Sequence, residues 1–155
     1  MTPAPRKLRR TPLLASVVVL AACGSHTVTK KDVIAQGNQI CETAASSVRS
    51  VPPPNGTSLT ALAHYYRRVT PIVQTEVRQL RGLPRPAQDR ALLNRYLEAI
   101  ASSATEFQAL AAAAQDGDRG KLASASAQLR SNPAASLATS YGITECGGSS
   151  GTAVS

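Results

Sequence analysis

From Val33 onward, apolar residues recur every three or four positions. That spacing places them on one face of an α-helix. In the first such stretch Val33, Ile34, Gly37, Ile40, Cys41, Ala44, Ala45 and Val48 share a face, opposite Gln36, Glu42, Thr43, Ser46 and Ser47. Thr29-Lys30-Lys31-Asp32 precedes it as a helix start, with an acid three residues after a threonine. Pro52-Pro53-Pro54-Asn55-Gly56 ends it in a stiff connection. A second helix is predicted over about 58–81, with Leu59, Leu62, Tyr66, Val69, Val73, Val77 and Leu80 inward and His64, Arg67, Pro71, Gln74 and Arg78 outward. Proline inside a helix costs about 3 kcal/mol. Pro71 lies on the outer side, so a bend rather than a break is expected.

A third helix is predicted over about 87–115, with Leu92, Leu93, Tyr96, Leu97, Ile100, Ala104, Phe107, Leu110, Ala111 and Ala114 as its inner stripe. Gly117 can cap it and Asp118 can begin a fourth, whose pattern runs through Leu122, Ala125 and Leu129. Asn132-Pro133 interrupts that pattern and restarts a helix ending at Tyr141, with Gly142-Ile143 as a Schellman-type stop. No stretch sustains a period of two. The pattern therefore predicts an all-α antiparallel four-helix bundle over 31–146, its last helix kinked or broken near Pro133. The Gly/Ser-rich segment 147–155 is expected to be a disordered tail. Glu42, Glu76, Asp89, Glu98 and Glu106 are expected to face mostly water.

Before the bundle the chain has a different character. Arg6, Lys7, Arg9 and Arg10 form a basic segment without an acid, followed by a short apolar run from Leu13 to Ala22. The run is shorter than the roughly 20 residues that span a bilayer. It has the order of a secretory leader over 1–22. Arg9-Arg10 is followed by Thr11-Pro12 rather than by the apolar residues of a twin-arginine signal. Leu20-Ala21-Ala22-Cys23 resembles the bacterial lipobox. The resemblance implies cleavage before Cys23, diacylation of its sulfur, and a short tether over 23–30. Two acyl chains anchor stably where one does so marginally. The alternative is an ordinary secretory leader with Cys23 unmodified.

The lipobox leaves Cys41 and Cys146. In an antiparallel four-helix bundle the first and last helices are neighbours, and a compartment outside the membrane permits disulfides. A Cys41–Cys146 bridge is therefore expected to staple the bundle. Closing a loop of about 100 residues is worth roughly 4.7 kcal/mol in the chain-entropy account.

Composition narrows the function. The whole chain carries a formal charge of +8, but four of its 17 basic residues lie in the leader. The remaining 13 against nine acids leave about +4, which does not call for nucleic acid. About 133 residues follow the leader, one domain's worth. No paired metal-ligand motif occurs, and no cofactor or metal is expected. Asp116-Gly117-Asp118 has the start of a calcium loop, but Ala127 stands where the loop needs its last carboxylate. His64, Tyr65 and Tyr66 are haem-ligand types that helical geometry points in different directions, with Tyr65 at an edge. His64 has no evident partner for nucleophilic catalysis, so an enzyme is not expected. On the second helix Arg67, Arg78 and Arg81 share one outer sector without an acid, a candidate contact for an anionic partner.

With its lipobox, its two-cysteine helical core and the ending Tyr141-Gly142-Ile143-Thr144-Glu145-Cys146-Gly147, the chain resembles small actinobacterial cell-envelope lipoproteins of unassigned function. The expectation is a lipid-anchored, non-enzymatic binding or structural module on the extracytoplasmic face of the cell membrane, with an envelope protein or polymer as partner. The alternative is a carrier or sensor of a small apolar ligand, haem or lipid, held between helices. Gly37, Ala44, Ala104, Ala111 and Ala114 either let helices approach or leave a gap. A closed core would favour the first reading, and a cavity on the order of several hundred Å³ the second.

Overall fold

The computed structural model describes residues 27–56 and 58–149. The leader, Cys23, His26 and residues 150–155 lie outside the described residues. Helix α1 spans Lys30–Arg49, α2 Leu59–Arg81, α3 Arg90–Gln115, α4 Arg119–Ser131, α5 Ala134–Tyr141 and α6 Thr144–Ser149, and a 3-10 turn at Ala87–Asp89 leads into α3. No strand occurs among the described residues.

The helix ends follow local chemistry. Thr29 and Asp32 form a full capping box on α1, each side chain bonded to the other's backbone N–H. Ser58 caps α2 through the Ala61 N–H, and Asp118 caps α4 through the Lys121 N–H at 2.9 Å. That bond, with Lys121 beside it, holds the Asp118 carboxyl below the usual carboxylate range. Gly142 is left-handed at φ +110°, and the Ile143 N–H donates to the Ala138 carbonyl, closing α5. Pro71 is exposed, and α2 runs through it without interruption.

The expected last helix is broken at Asn132-Pro133. The Asn132 side chain accepts from the Ala134 N–H at 2.9 Å, and its amide donates to the Ala99 carbonyl and to Glu106. These bonds pin the corner between α4 and α5 to α3. A further difference follows. Cys146, read from sequence as lying just past the last helix, sits inside α6, which carries helix through residues 147–149. The Glu145 N–H donates to the Asn38 side chain across the α1–α6 contact.

Packing follows chain order for α1 on α2, α2 on α3, and α3 on both α4 and α5. The return to α1 is made by α6, itself packed on α5. Tyr66 of α2 meets Phe107 of α3 edge to face, with centroids 6.5 Å apart. Lys30 of α1 reaches Asp89 at 3.2 Å and lies over the Tyr141 ring. The core holds Val33, Leu80, Leu93, Tyr96, Leu110, Tyr141 and Ile143, each essentially solvent-free. Among the described residues no helix is long and apolar enough to cross a membrane.

Candidate functional site: a cleft lined by apolar residues and Glu76

Between the C-terminal half of α1 and α4 lies a partly open cleft of about 740 Å³. Val48 and Val51 form one wall, Val69 and Val73 of α2 a second, and Ile100, Phe107 and Leu110 of α3 a third. Leu129 and Ser126 of α4 and the end of α6 complete it. The facing positions are small. Ala44 and Ala45 on α1, Ser103 on α3 and Ser126 on α4 cannot fill the distance between backbones set elsewhere in the bundle. The small residues therefore divide in role. Gly37 gives close approach, because a Cβ there would lie 2.8 Å from Ile143 Cδ1, whereas Ala44 borders open space.

The floor is polar. Glu76, expected from sequence to face mostly water, instead lines the cleft. One turn of α2 puts position 76 beside Val73, Val77 and Leu80, all buried. Burial pushes its carboxyl up to about 7. Among the described residues it makes no hydrogen bond or ion pair. Tyr96, fully buried on α3, has its phenol raised well above the ordinary value by burial and by the nearby Glu76 charge. Tyr65, placed at an edge by the helical pattern, is buried at 8 % exposure and lines the cleft. An edge position on a helix becomes an interior one when the neighbouring helices wrap around it.

Cys41 and Cys146 stand at disulfide distance beside Glu76, with Cα atoms 5.2 Å apart and a sequence separation of 105. Both are buried. The Cys41 sulfur lies 3.9 Å from the Tyr96 hydroxyl. A carboxyl oxygen of Glu76 and the two sulfurs all fall within 4.8 Å of one another. With the sulfurs joined, the carboxylate is the one ligand-type group of this trio still able to take a cation.

The rim carries both signs, with Glu42 and Arg49 on α1, Arg130 on α4 and Glu145 on α6. The other residues singled out from sequence lie elsewhere. Arg67, Arg78 and Arg81 are exposed on α2, and Arg78 donates to the Thr75 hydroxyl at 2.8 Å. His64 is exposed and takes no part in the cleft. No protein family, curated protein or solved structure matches this chain.

Proposed function

We propose that this chain is a lipid-anchored extracytoplasmic binding module that takes a small apolar ligand into the cleft between α1 and α4. The carrying observation is the 740 Å³ volume with apolar walls on three helices. Binding pockets for small ligands have this size and this predominance of apolar lining. The lipobox-like Leu20-Ala21-Ala22-Cys23 supports the anchor. A Cys41–Cys146 bridge suits an oxidising compartment and holds α6 against α1. The finer architecture proposed is an up-down-up-down bundle with its fourth helix broken at Pro133. The pairings of Tyr66 with Phe107 and of Glu76 with Tyr96 support opposed directions for α2 and α3.

Two substitutions test this reading. Ala45→Trp, on a half-buried wall position, is expected to fill the cleft and abolish the fluorescence rise of N-phenyl-1-naphthylamine, a neutral apolar probe, while helicity holds. Equal fluorescence from the folded variant and the wild type would reject the cleft as the site. Cys23→Ser is expected to leave the chain uncleaved or in the aqueous phase of a detergent partition. A variant that stays cleaved and detergent-bound would reject the anchor.

A second reading rests on a separate observation. Arg67, Arg78 and Arg81 are exposed and form no ion pair with an acid among the described residues. Such a face suits an anionic envelope polymer or protein, because guanidinium groups bind phosphate and carboxylate through paired hydrogen bonds.

A further inference from the structure

We infer that the cleft's ligand is an apolar molecule bearing a single cationic ammonium head, and that Glu76 is the counter-charge that receives it. The inference rests on the cleft being the ligand site. It follows from where charge sits in that volume. The walls are mainly hydrocarbon, and the partly buried Glu76 carboxyl among them lies beside two buried sulfurs, that of Cys41 being 3.9 Å from the Tyr96 hydroxyl. None of those neighbours is a cation, and among the described residues none donates a hydrogen bond to Glu76. The cations that line the cleft, Arg49 and Arg130, are exposed residues at its mouth.

A carboxylate removed from water without a partner is costly, and an arriving ammonium relieves that cost while its own desolvation is offset by a charge-assisted hydrogen bond. A neutral ligand of the same shape gains only the walls. An anionic ligand inserted head first meets the Glu76 carboxyl in a low-dielectric setting, where like charges repel strongly. The raised affinity of Glu76 for a proton reports the same unmet need for positive charge. The apolar body then lies along Val73, Ile100 and Leu129 toward the mouth.

The test uses the full-length chain carrying Cys23→Ser, so that no acyl chain competes, and calorimetric titration with octylammonium, 1-octanol and octanoate. These share one chain and differ in head charge. The expected result is binding of octylammonium at least about tenfold tighter than 1-octanol, the range typical of a desolvated charge pair. Octanoate is expected to be the weakest. In Glu76→Gln the ratio between octylammonium and octanol is expected to fall to near one. Wild-type binding of octanol as tight as that of octylammonium would overturn the role of Glu76 and leave the cleft standing. A preference for octanoate would overturn it in favour of a head held by Arg49 and Arg130 at the mouth. Discrimination that survives in a folded Glu76→Gln variant would also overturn it. Absence of binding by both octylammonium and octanol would remove the cleft reading together with this one.

Discussion

Gly37 of α1 lies directly against Ile143, so closely that an added Cβ would sit 2.8 Å from Cδ1 and 3.1 Å from Cγ1 and Cγ2. Ile143 is fully buried, in the short link between α5 and α6. This contact sets how close α6 comes to α1, and so where the cysteine pair falls. Gly37→Ala is expected to destabilise the fold by up to about 2 kcal/mol. Overpacking costs roughly 1–3 kcal/mol, and the gain of about 1 kcal/mol in helix propensity offsets only part of it. Adding Ile143→Val removes Cδ1 and is expected to recover part of the loss. Thermal melts of the single and double variants check this. A Gly37→Ala variant that melts higher than the wild type would show that the contact is loose.

Joining Cys41 to Cys146 constrains a loop defined by 105 residues of separation. Mass analysis of the unreduced protein is expected to show no alkylatable thiol at either position. Reduction, or Cys41→Ala with Cys146→Ala, is expected to lower stability by about 3–5 kcal/mol. The loss should fall first on α6, which the bridge ties to α1. Two free thiols in the native protein would contradict the bridge.

Glu76 gives the fold a defined pH dependence. Its carboxyl is raised from 4.5 to about 7 by burial, so the folded state holds a proton that the unfolded chain releases. The associated stability is fully present below about pH 4.5, is lost as pH rises through 7, and is absent above. The full shift corresponds to a span on the order of 3 kcal/mol. Glu76→Gln is expected to remove this slope, so that the variant gains on the wild type between pH 5 and pH 8. Urea melts of both proteins at the two pH values measure it. Parallel losses in both would show that Glu76 is solvated in the fold.

The arginine face makes an independent prediction. Arg67→Glu/Arg78→Glu/Arg81→Glu in the Cys23→Ser chain is expected to abolish salt-sensitive binding to anionic vesicles without lowering the melting temperature. Exposed charges act over about 8 Å at physiological ionic strength, so added salt should weaken the wild-type contact. Equal vesicle binding by the folded triple variant would dismiss this face.

Much of the fold is legible because its signals are local. Thr29 with Asp32, Asp118, and Gly142 with Ile143 mark helix ends through bonds made within a few residues. The break at Pro133 is legible for the same reason, since proline has no N–H to give. Helix α6 is not legible. Its sequence Thr144-Glu145-Cys146-Gly147-Gly148-Ser149 has two glycines and weak helix propensity, and tertiary contacts hold it. The Glu145 N–H is bonded to Asn38, Cys146 is set beside Cys41, and Gly147 packs so tightly on Thr139 that a Cβ has no room.

The candidate site is legible in its apolar walls, because Val69, Val73, Ile100 and Leu110 fall on the inner stripes, but not in Glu76. The alternation of polar and apolar positions records which face of α2 carries Glu76. It does not record that α1 and α4 leave a cleft between them that the carboxyl lines. The small residues were visible, but close packing and a void need the same residue types. Gly37 and Ala44 took opposite roles because Ile143 fills the space beside one and nothing fills the space beside the other.

The most direct test of the account is to locate a bound apolar chain by intermolecular nuclear Overhauser effects, using the full-length Cys23→Ser protein with labelled methyl groups and 1-octanol. Effects are expected from the alkyl chain to the methyls of Val69, Val73, Ile100 and Leu129, which line the cleft from three helices. Effects confined to surface methyls such as those of Val28, 42 % exposed, or no effects at all, would contradict it.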